Sequence, residues 1–245
     1  SKIGKTTEAI KLQEKALEIL KTAYEKDNIK WLEDYTKSLS RLALYKLDNN
    51  KTKDAIKLQK NALDIIKDAY MGNKARWFEN YSIYLDNLAY SYNKIGRTIE
   101  AIELQEEALK NYKIAYENDN VKWMEDYLRS LNNLSEYYFE MGRQNESIEL
   151  QEEALHIIKD VYMSNKDRWL EEYSQILNNL SQSYSVNNKK ESIKLQEEAL
   201  YIIKNAYISN NDRWLELYSR NLNNLACAYF LNNNKKQAIE LQEYN

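Results

Sequence analysis

The chain has 245 residues, a formal net charge of −3, one cysteine, one histidine and no proline. The near-neutral charge argues against a nucleic-acid partner bound through its phosphates, and the single cysteine excludes a disulfide framework. The absence of proline, with only four glycines, argues against a turn-rich β-fold, and one histidine leaves little for metal or acid–base chemistry.

One motif, Ile-x-Leu-Gln, returns along the whole chain, with its leucine at positions 12, 58, 104, 150, 195 and 241. The interval is 46 residues except for one of 45. The five tryptophans keep the same register, at positions 31, 77, 123, 169 and 214. A fixed period of this length is typical of repeat architectures, in which each unit packs against its neighbours.

Each repeat is predicted to contain two helices of about 20 residues. We call the helix that begins near the tryptophan helix A, and the one that carries Ile-x-Leu-Gln helix B. In chain order we expect a half repeat over 1–27, repeats over about 28–73, 74–119, 120–165 and 166–210, and a partial repeat over 211–245, all in a single array. The first and last elements are then B helices at about 5–26 and 235–245. Because such open ends need capping, we expect flanking repeats or domains in the full-length protein.

The residue types in the turns indicate where each helix ends and where the next one begins. The turn from helix A to helix B carries residues that accept a left-handed backbone, namely Gly4, Asn50, Gly96, Gly142, Asn188 and Asn233. We therefore interpret Gly4-Lys5-Thr6-Thr7 as a repeat turn rather than part of a phosphate-binding loop, and we place the one-residue deletion just after Asn188. The other turn carries the candidate N-caps Asp27-Asn28, Asn73, Asp119-Asn120, Asn165 and Asn210-Asn211.

Two further patterns resemble a known family. The segment Leu131-x-x-Leu134-Ser135-x-x-Tyr138-x-x-x-Gly142, followed by Ser147, Ala154 and Leu155, resembles the tetratricopeptide repeat. The recurring phrases Leu-Asn-Asn-Leu and Glu-Glu-Ala-Leu resemble the kinesin-light-chain-like subclass, although this repeat is longer than the usual 34 residues. The resemblance implies an all-α fold, a right-handed α-solenoid of antiparallel helical hairpins with about 11 helices, in which helix A faces a concave groove.

Asparagine recurs in the middle of the A helices, where it is a mediocre helix former. The positions are Asn87, Asn132, Asn133, Asn178, Asn179, Asn223 and Asn224. These amides are expected either to bind the backbone of a peptide in the groove or to join neighbouring repeats by hydrogen bonds, and both interpretations stay open. Nearby cations, Lys37, Arg41, Arg129 and Arg220, are expected either to favour an acidic ligand or to be solvated surface charges.

Two other recurring residue types are interpreted as structural. The tryptophans, and the tyrosines four residues after them, are expected to pack against the tyrosines that end each helix B. The invariant glutamine of the motif is expected to hydrogen-bond from helix to helix. No set of side chains is arranged for catalysis, and we expect neither a metal nor a cofactor.

The sequence predicts a non-catalytic scaffold that binds a peptide or helix of a partner protein in its concave groove. One alternative is a sensing or regulatory arm of a larger signalling enzyme, such as a nucleotide switch or protease. Another is a purely structural segment whose open ends stack. No apolar run approaches the roughly 18 residues of a membrane helix, and there is no signal peptide, so a cytoplasmic protein without a membrane partner is expected.

Overall fold

A computed structural model describes the backbone of residues 2–234 and 236–239, and within these ranges the side chains from residue 8 onward. These residues form ten α-helices and no strand, and residues 236–239 are also helical. The helices are α1 (Lys2–Lys26), α2 (Asn28–Asp48), α3 (Thr52–Gly72), α4 (Lys74–Lys94), α5 (Thr98–Asn118), α6 (Asn120–Glu140), α7 (Gln144–Ser164), α8 (Lys166–Tyr184), α9 (Lys189–Ser209) and α10 (Asn211–Leu231). Short turns join them, so the predicted all-α solenoid of helical hairpins is confirmed.

The chain divides into two compact units, the first ending at Ser130 and the second beginning at Leu131. In the first unit the five helices α1 to α5 pack on one another in chain order. In the second unit the four helices α7 to α10 do the same. The boundary falls inside α6, so the first half of this helix A belongs to the first unit and the second half to the second.

Small side chains let helix A and helix B approach closely. In the first unit Ala43 of α2 and Ala55 of α3 are fully buried in one apolar cluster with Leu47. In the second unit serines occupy the corresponding positions of the first two helix pairs, and alanine returns at Ala226 and Ala238. The Ser135 and Ser147 hydroxyls are hydrogen-bonded at 3.0 Å, and those of Ser181 and Ser192 at 2.9 Å. Each serine pair preserves the close approach and adds a buried hydrogen bond.

The predicted N-caps are confirmed in every A helix. The side-chain oxygens of Asp27, Asn73, Asp119, Asn165 and Asn210 each accept a hydrogen bond from the backbone N–H three residues later, at 3.0–3.2 Å. This bond satisfies one of the N–H groups that a helix leaves without a partner in its first turn.

The left-handed turn is confirmed at four positions and is wrong at two. Asn50, Gly96, Gly142 and Asn233 have φ between 58° and 75°. Asn188 instead has φ −144°, and its side chain caps α9 by accepting from the Glu191 N–H at 3.2 Å. Asn188 thus takes the N-cap position of α9 that Arg143 takes in α7, although the Arg143 side chain makes no capping hydrogen bond. The missing residue is the left-handed one before Asn188. Gly4 lies inside α1, which begins at Lys2, so no turn is found at Gly4–Thr7. Most of the helix expected at 235–245 lies outside the described residues.

The aromatic residues pack as the structural interpretation predicted. The tyrosine that ends each helix B lies beside the tyrosine of the following helix A, with ring centroids 4.5–5.1 Å apart in all five pairs. The basic residue before each tryptophan lies over that indole ring at 4.3–5.1 Å. These rings fix one helix against the next, so they are not a free surface for a ligand.

The left-handed turn predicts the effect of replacing Gly142. No atom lies within 4 Å of a Cβ added there, so Gly142→Ala should lose only the backbone energy of the left-handed conformation, about 1 kcal/mol of the free energy of unfolding. Gly142→Asn should lose less, since Asn50 and Asn233 adopt this conformation. The control is Gly72→Ala at the end of α3, where added space is also free and φ is not positive. Urea unfolding of the four proteins measures the differences, and an equal loss in both alanine variants would contradict the assignment.

Candidate functional site

The motif glutamines lie between the two helix layers. Gln13, Gln105 and Gln151 each donate from Nε2 to a serine Oγ on a helix A at 2.9 Å, which confirms the expected helix-to-helix hydrogen bonds. Gln59 is the exception, since neither of its buried amide atoms has a partner. The Oε1 atoms of Gln105, Gln151 and Gln196 are also buried without a partner. Gln242 lies outside the described residues.

Three of the predicted asparagines join neighbouring A helices. Asn87 on α4 donates to Ser40 Oγ on α2 at 3.4 Å. Asn224 on α10 donates to Asn178 Oδ1 on α8 at 3.2 Å, and Asn178 donates to Asn221 Oδ1 at 3.1 Å. Asn178 is buried, so at these positions the structure displays the inter-repeat hydrogen bonds that were one of the two open interpretations.

The other four asparagines lie differently. Asn179 is half-buried and accepts a hydrogen bond from Gln175 Nε2 at Oδ1, at 2.8 Å, which leaves its Nδ2 group for another acceptor. Asn132 and Asn133 are half-buried, and Asn132 Oδ1 has no partner. Asn223 is exposed. Of this set, Asn179 therefore combines partial access with an available donor.

Carboxylates on the same helix already pair with three of the four predicted cations. Lys37 Nζ lies 2.5 Å from Glu33 Oε1, and Arg220 Nη2 lies 2.9 Å from Glu216 Oε1. Arg129 Nη2 lies 2.5 Å from Asp126 Oδ1 and 3.9 Å from Asp86 Oδ2. Arg41 is exposed and lines a recess of about 260 Å³ with Lys37. The positive charge available to an acidic ligand is accordingly smaller than the sequence suggests.

Asp86 is a buried carboxylate beside Asn87, and sequence reasoning missed it. It accepts from Gln105 Nε2 at 2.6 Å, and 8% of its surface is exposed. Burial, which outweighs this hydrogen bond and the attraction of Arg129, raises its pKa to about 6. The same register position holds Ser40 in the first repeat and asparagine in the later ones, so Asp86 is the one charged residue at this position.

The second unit contains two pockets at the same place in successive repeats. The first, which we call the Glu136 pocket, has a volume of about 490 Å³ and lies between α6 and α8, with α7 as its floor. The second, the Arg220 pocket, has about 330 Å³ and lies between α8 and α10, with α9 as its floor. Asn179 and Gln182 border both pockets, so the two are adjacent along one surface of α8.

The floors of the two pockets correspond residue by residue. Ser135, Ser147, Gln151 and Asn179 of the Glu136 pocket correspond to Ser181, Ser192, Gln196 and Asn224 of the Arg220 pocket. The rims differ. Gln182 of the Arg220 pocket stands in the place of Glu136, Arg220 in that of Gln175, and Cys227 in that of Gln182. A constant amide and hydroxyl floor under a changing rim suits a ligand with a regular backbone and varied side chains.

Sequence reasoning named the asparagines but missed Glu136, Glu140, Gln175 and Gln182 on the rims. Their signal is present in the sequence as variation, because these positions change residue type from one repeat to the next while their neighbours stay constant. The search for recurring residues therefore selected the floor and passed over the rim.

Among the described residues, no group of three His, Cys, Asp or Glu side chains is placed to bind a metal ion. None of the helices in residues 2–234 has the length and apolarity that crossing a membrane requires. The thiol of Cys227 is exposed at the Arg220 pocket.

Residues 81–160 match the family model of the tetratricopeptide repeat. This match spans parts of two successive repeats whose register continues through the chain, and the helices pack in the corresponding way. Residues 81–160 are tetratricopeptide repeats, and the register of these repeats continues through the chain. Comparison with curated proteins finds no significant match.

Solved structures show the same fold at low sequence identity. BtubC (BKLC) from P. vanneervenii has a TM-score of 0.75 and 18% identity, over 98% of this chain and 89% of that one. The Podosopora anserina protein named for kinesin light chain, with nearly identical TPR-like repeats, has a TM-score of 0.69 and 21% identity, over 85% and 91%. A signal transduction ATPase (STAND) from Pyrococcus horikoshii with a tetratricopeptide repeat sensor has 0.69 and 18%, over 98% of this chain and 34% of that one. This chain thus has the same fold as these three proteins.

The environment of Asp86 predicts a pH-dependent stability. A carboxyl group whose pKa is raised on folding stabilises the folded state below its unfolded value near 4, and this contribution is lost as the pH rises through about 6. Asp86→Asn should therefore remove this pH dependence and raise the free energy of unfolding at pH 7.5 by about 1–3 kcal/mol. Asp126→Asn, which removes the half-buried partner of Arg129, is the control and should change stability by less than about 1 kcal/mol. Urea unfolding between pH 4 and 8 tests both, and a loss of stability in Asp86→Asn at pH 7.5 would show that the attraction of Arg129 dominates.

Proposed function

We propose that residues 1–245 form one repeat array and that it is a non-catalytic scaffold, which binds a peptide or helix of a partner protein along its A helices. The observation that carries the proposal is the pair of adjacent pockets in the second unit, with matching floors and different rims. Tetratricopeptide repeat proteins are generally interaction scaffolds, which supports the same conclusion. Solenoids of this kind offer extended surfaces to long ligands, and the pockets of this array are spaced by one repeat.

The chemistry of the pocket floors supports an extended backbone as the ligand. Such a backbone presents alternating N–H and C=O groups, and the floor offers a donor in Asn179 Nδ2 and acceptors in the unpartnered Oε1 atoms of Gln151 and Gln196. Arg220 and Asn224 were also predicted from the sequence as binding residues, and both border the Arg220 pocket, where they can contact a ligand. Asn178 contributes by joining α8 to α10 rather than by contact. The bias toward acidic ligands is proposed only for the Arg220 pocket and for the Arg41 recess.

A sensing arm of a larger signalling enzyme is the second candidate. The repeat sensor of the Pyrococcus horikoshii ATPase has the same fold and forms part of a much longer chain, which supports this possibility. The two functions are compatible, because a sensor also binds a ligand in its repeats. A cytoplasmic location is part of both proposals.

Asn179 provides the test, because it borders both pockets. A phage-displayed library of random nonapeptides is selected on the 245-residue protein, and the selected peptides are measured by fluorescence anisotropy. Asn179→Asp retains the acceptor for Gln175 but loses the free N–H donor, so the affinity should fall about tenfold. Asn145→Asp, the same change at an exposed position near the start of α7, should leave the affinity within about twofold.

Far-UV circular dichroism and thermal unfolding confirm that both variants are folded. Equal affinity in the two variants would place binding elsewhere on the protein, and the absence of any selected peptide would overturn peptide binding as the function.

A further inference from the structure

We propose that the Glu136 pocket binds an arginine side chain of the partner peptide, so that an arginine fixes the register of the peptide on the array. This inference rests on the proposed function and adds the chemistry of one ligand position. The rim of the Glu136 pocket is acidic. The preference for acidic ligands was predicted from other residues, the basic side chains of the A helices.

The charge of the pocket is negative and uncompensated. Glu136 and Glu140 lie one helical turn apart on α6, and both line the pocket. Its other lining residues are serines, amides and one phenylalanine, without a lysine, arginine or histidine. Burial and the charge of Glu140 raise the pKa of Glu136. Two carboxylates that are held close together without a neighbouring cation favour the binding of a cationic group.

A buried acceptor without a partner borders the same pocket. Gln151 is completely buried, and its Nε2 donates to Ser135 Oγ at 2.9 Å. Its Oε1 atom has no hydrogen bond. A buried acceptor that lacks a donor is costly, and the N–H groups of a ligand would satisfy it. This observation is independent of the two carboxylates and indicates a ligand that donates hydrogen bonds.

Phe139 distinguishes arginine from lysine as the occupant. Its ring lines the pocket beside the two carboxylates. A guanidinium group is planar, stacks on aromatic rings and presents five donors, so it can contact a ring face and two acceptors at the same time. An ammonium group is a compact, strongly hydrated charge and matches this combination less well.

The neighbouring pocket gives an internal contrast. In the Arg220 pocket, Gln182 replaces Glu136 and Arg220 replaces Gln175, while the serine, glutamine and asparagine floor is unchanged. A cationic side chain would be repelled there and attracted one repeat earlier. The two adjacent pockets thus favour side chains of different charge at successive positions of one ligand.

The experiment titrates the 245-residue protein with N-acetyl-L-argininamide and follows backbone amide shifts by ¹H–¹⁵N NMR. Shifts should concentrate on residues 136–140 and 175–182. Glu136→Gln with Glu140→Gln should weaken binding at least about fivefold. Glu171→Gln with Glu172→Gln, an equal charge change at exposed positions of α8 outside the pocket, should leave it within about twofold. N-acetyl-L-lysinamide should bind more weakly than the arginine compound, and N-acetyl-L-glutaminamide should not shift these amides.

Equal weakening in both double variants, or shifts spread over the acidic surface, would overturn the inference. The peptide selection separates it from the proposed function. Peptides that require Asn179 but lack an enriched arginine would overturn the arginine site and leave the scaffold standing. Argininamide binding without any selected peptide would instead overturn peptide binding.

Discussion

Within each of its two units, this protein depends on successive helices burying one side against each other. Ile66, Tyr112, Ile158 and Ile203 occupy one register position in successive B helices, and all four are completely buried. A hairpin of two helices on its own would leave these side chains partly in water, so each repeat is stable only beside its neighbours. The 46-residue period follows from this requirement, because every repeat must present the same surfaces to the next.

The polar residues between the helices turn this packing into a fixed register. Three of the motif glutamines, Gln13, Gln105 and Gln151, donate to a serine of helix A. In the second unit the serine pairs Ser135–Ser147 and Ser181–Ser192 replace the alanine contact of Ala43 and Ala55. Burying a polar group costs less when it is hydrogen-bonded, so these bonds favour one register of the helices. The same bonds create a floor of amides and hydroxyls that is open between successive A helices. In the proposed function the rim residues, which differ between the two pockets, select the ligand.

The cations illustrate how local pairing changes a functional interpretation. Lys37 and Arg220 stand four residues after Glu33 and Glu216, and each pair closes on its own helix. That spacing is visible in the sequence and predicts the pairing. The carboxylates of Glu136 and Glu140, in contrast, have the same spacing and the same sign, so they cannot neutralise each other. The two carboxylates of the Glu136 pocket therefore lack the same-helix partner that the predicted cations Lys37 and Arg220 have.

The sequence by itself determined the repeat, the two helices in each unit, the N-caps and the packing role of the aromatic rings. These features depend on residues close in sequence or on a register that is repeated several times, so periodicity and turn chemistry reveal them. The turn at Asn188 was mispredicted because a deletion removed the left-handed residue itself, and only the backbone shows which residue then caps α9. The tertiary structure decided which amides hydrogen-bond to a neighbouring repeat, as Asn178 does, and which remain accessible, as Asn179 does. It also brought Glu136, Phe139 and Gln151 to one pocket. These outcomes depend on distances between helices, and a single sequence contains no measure of them.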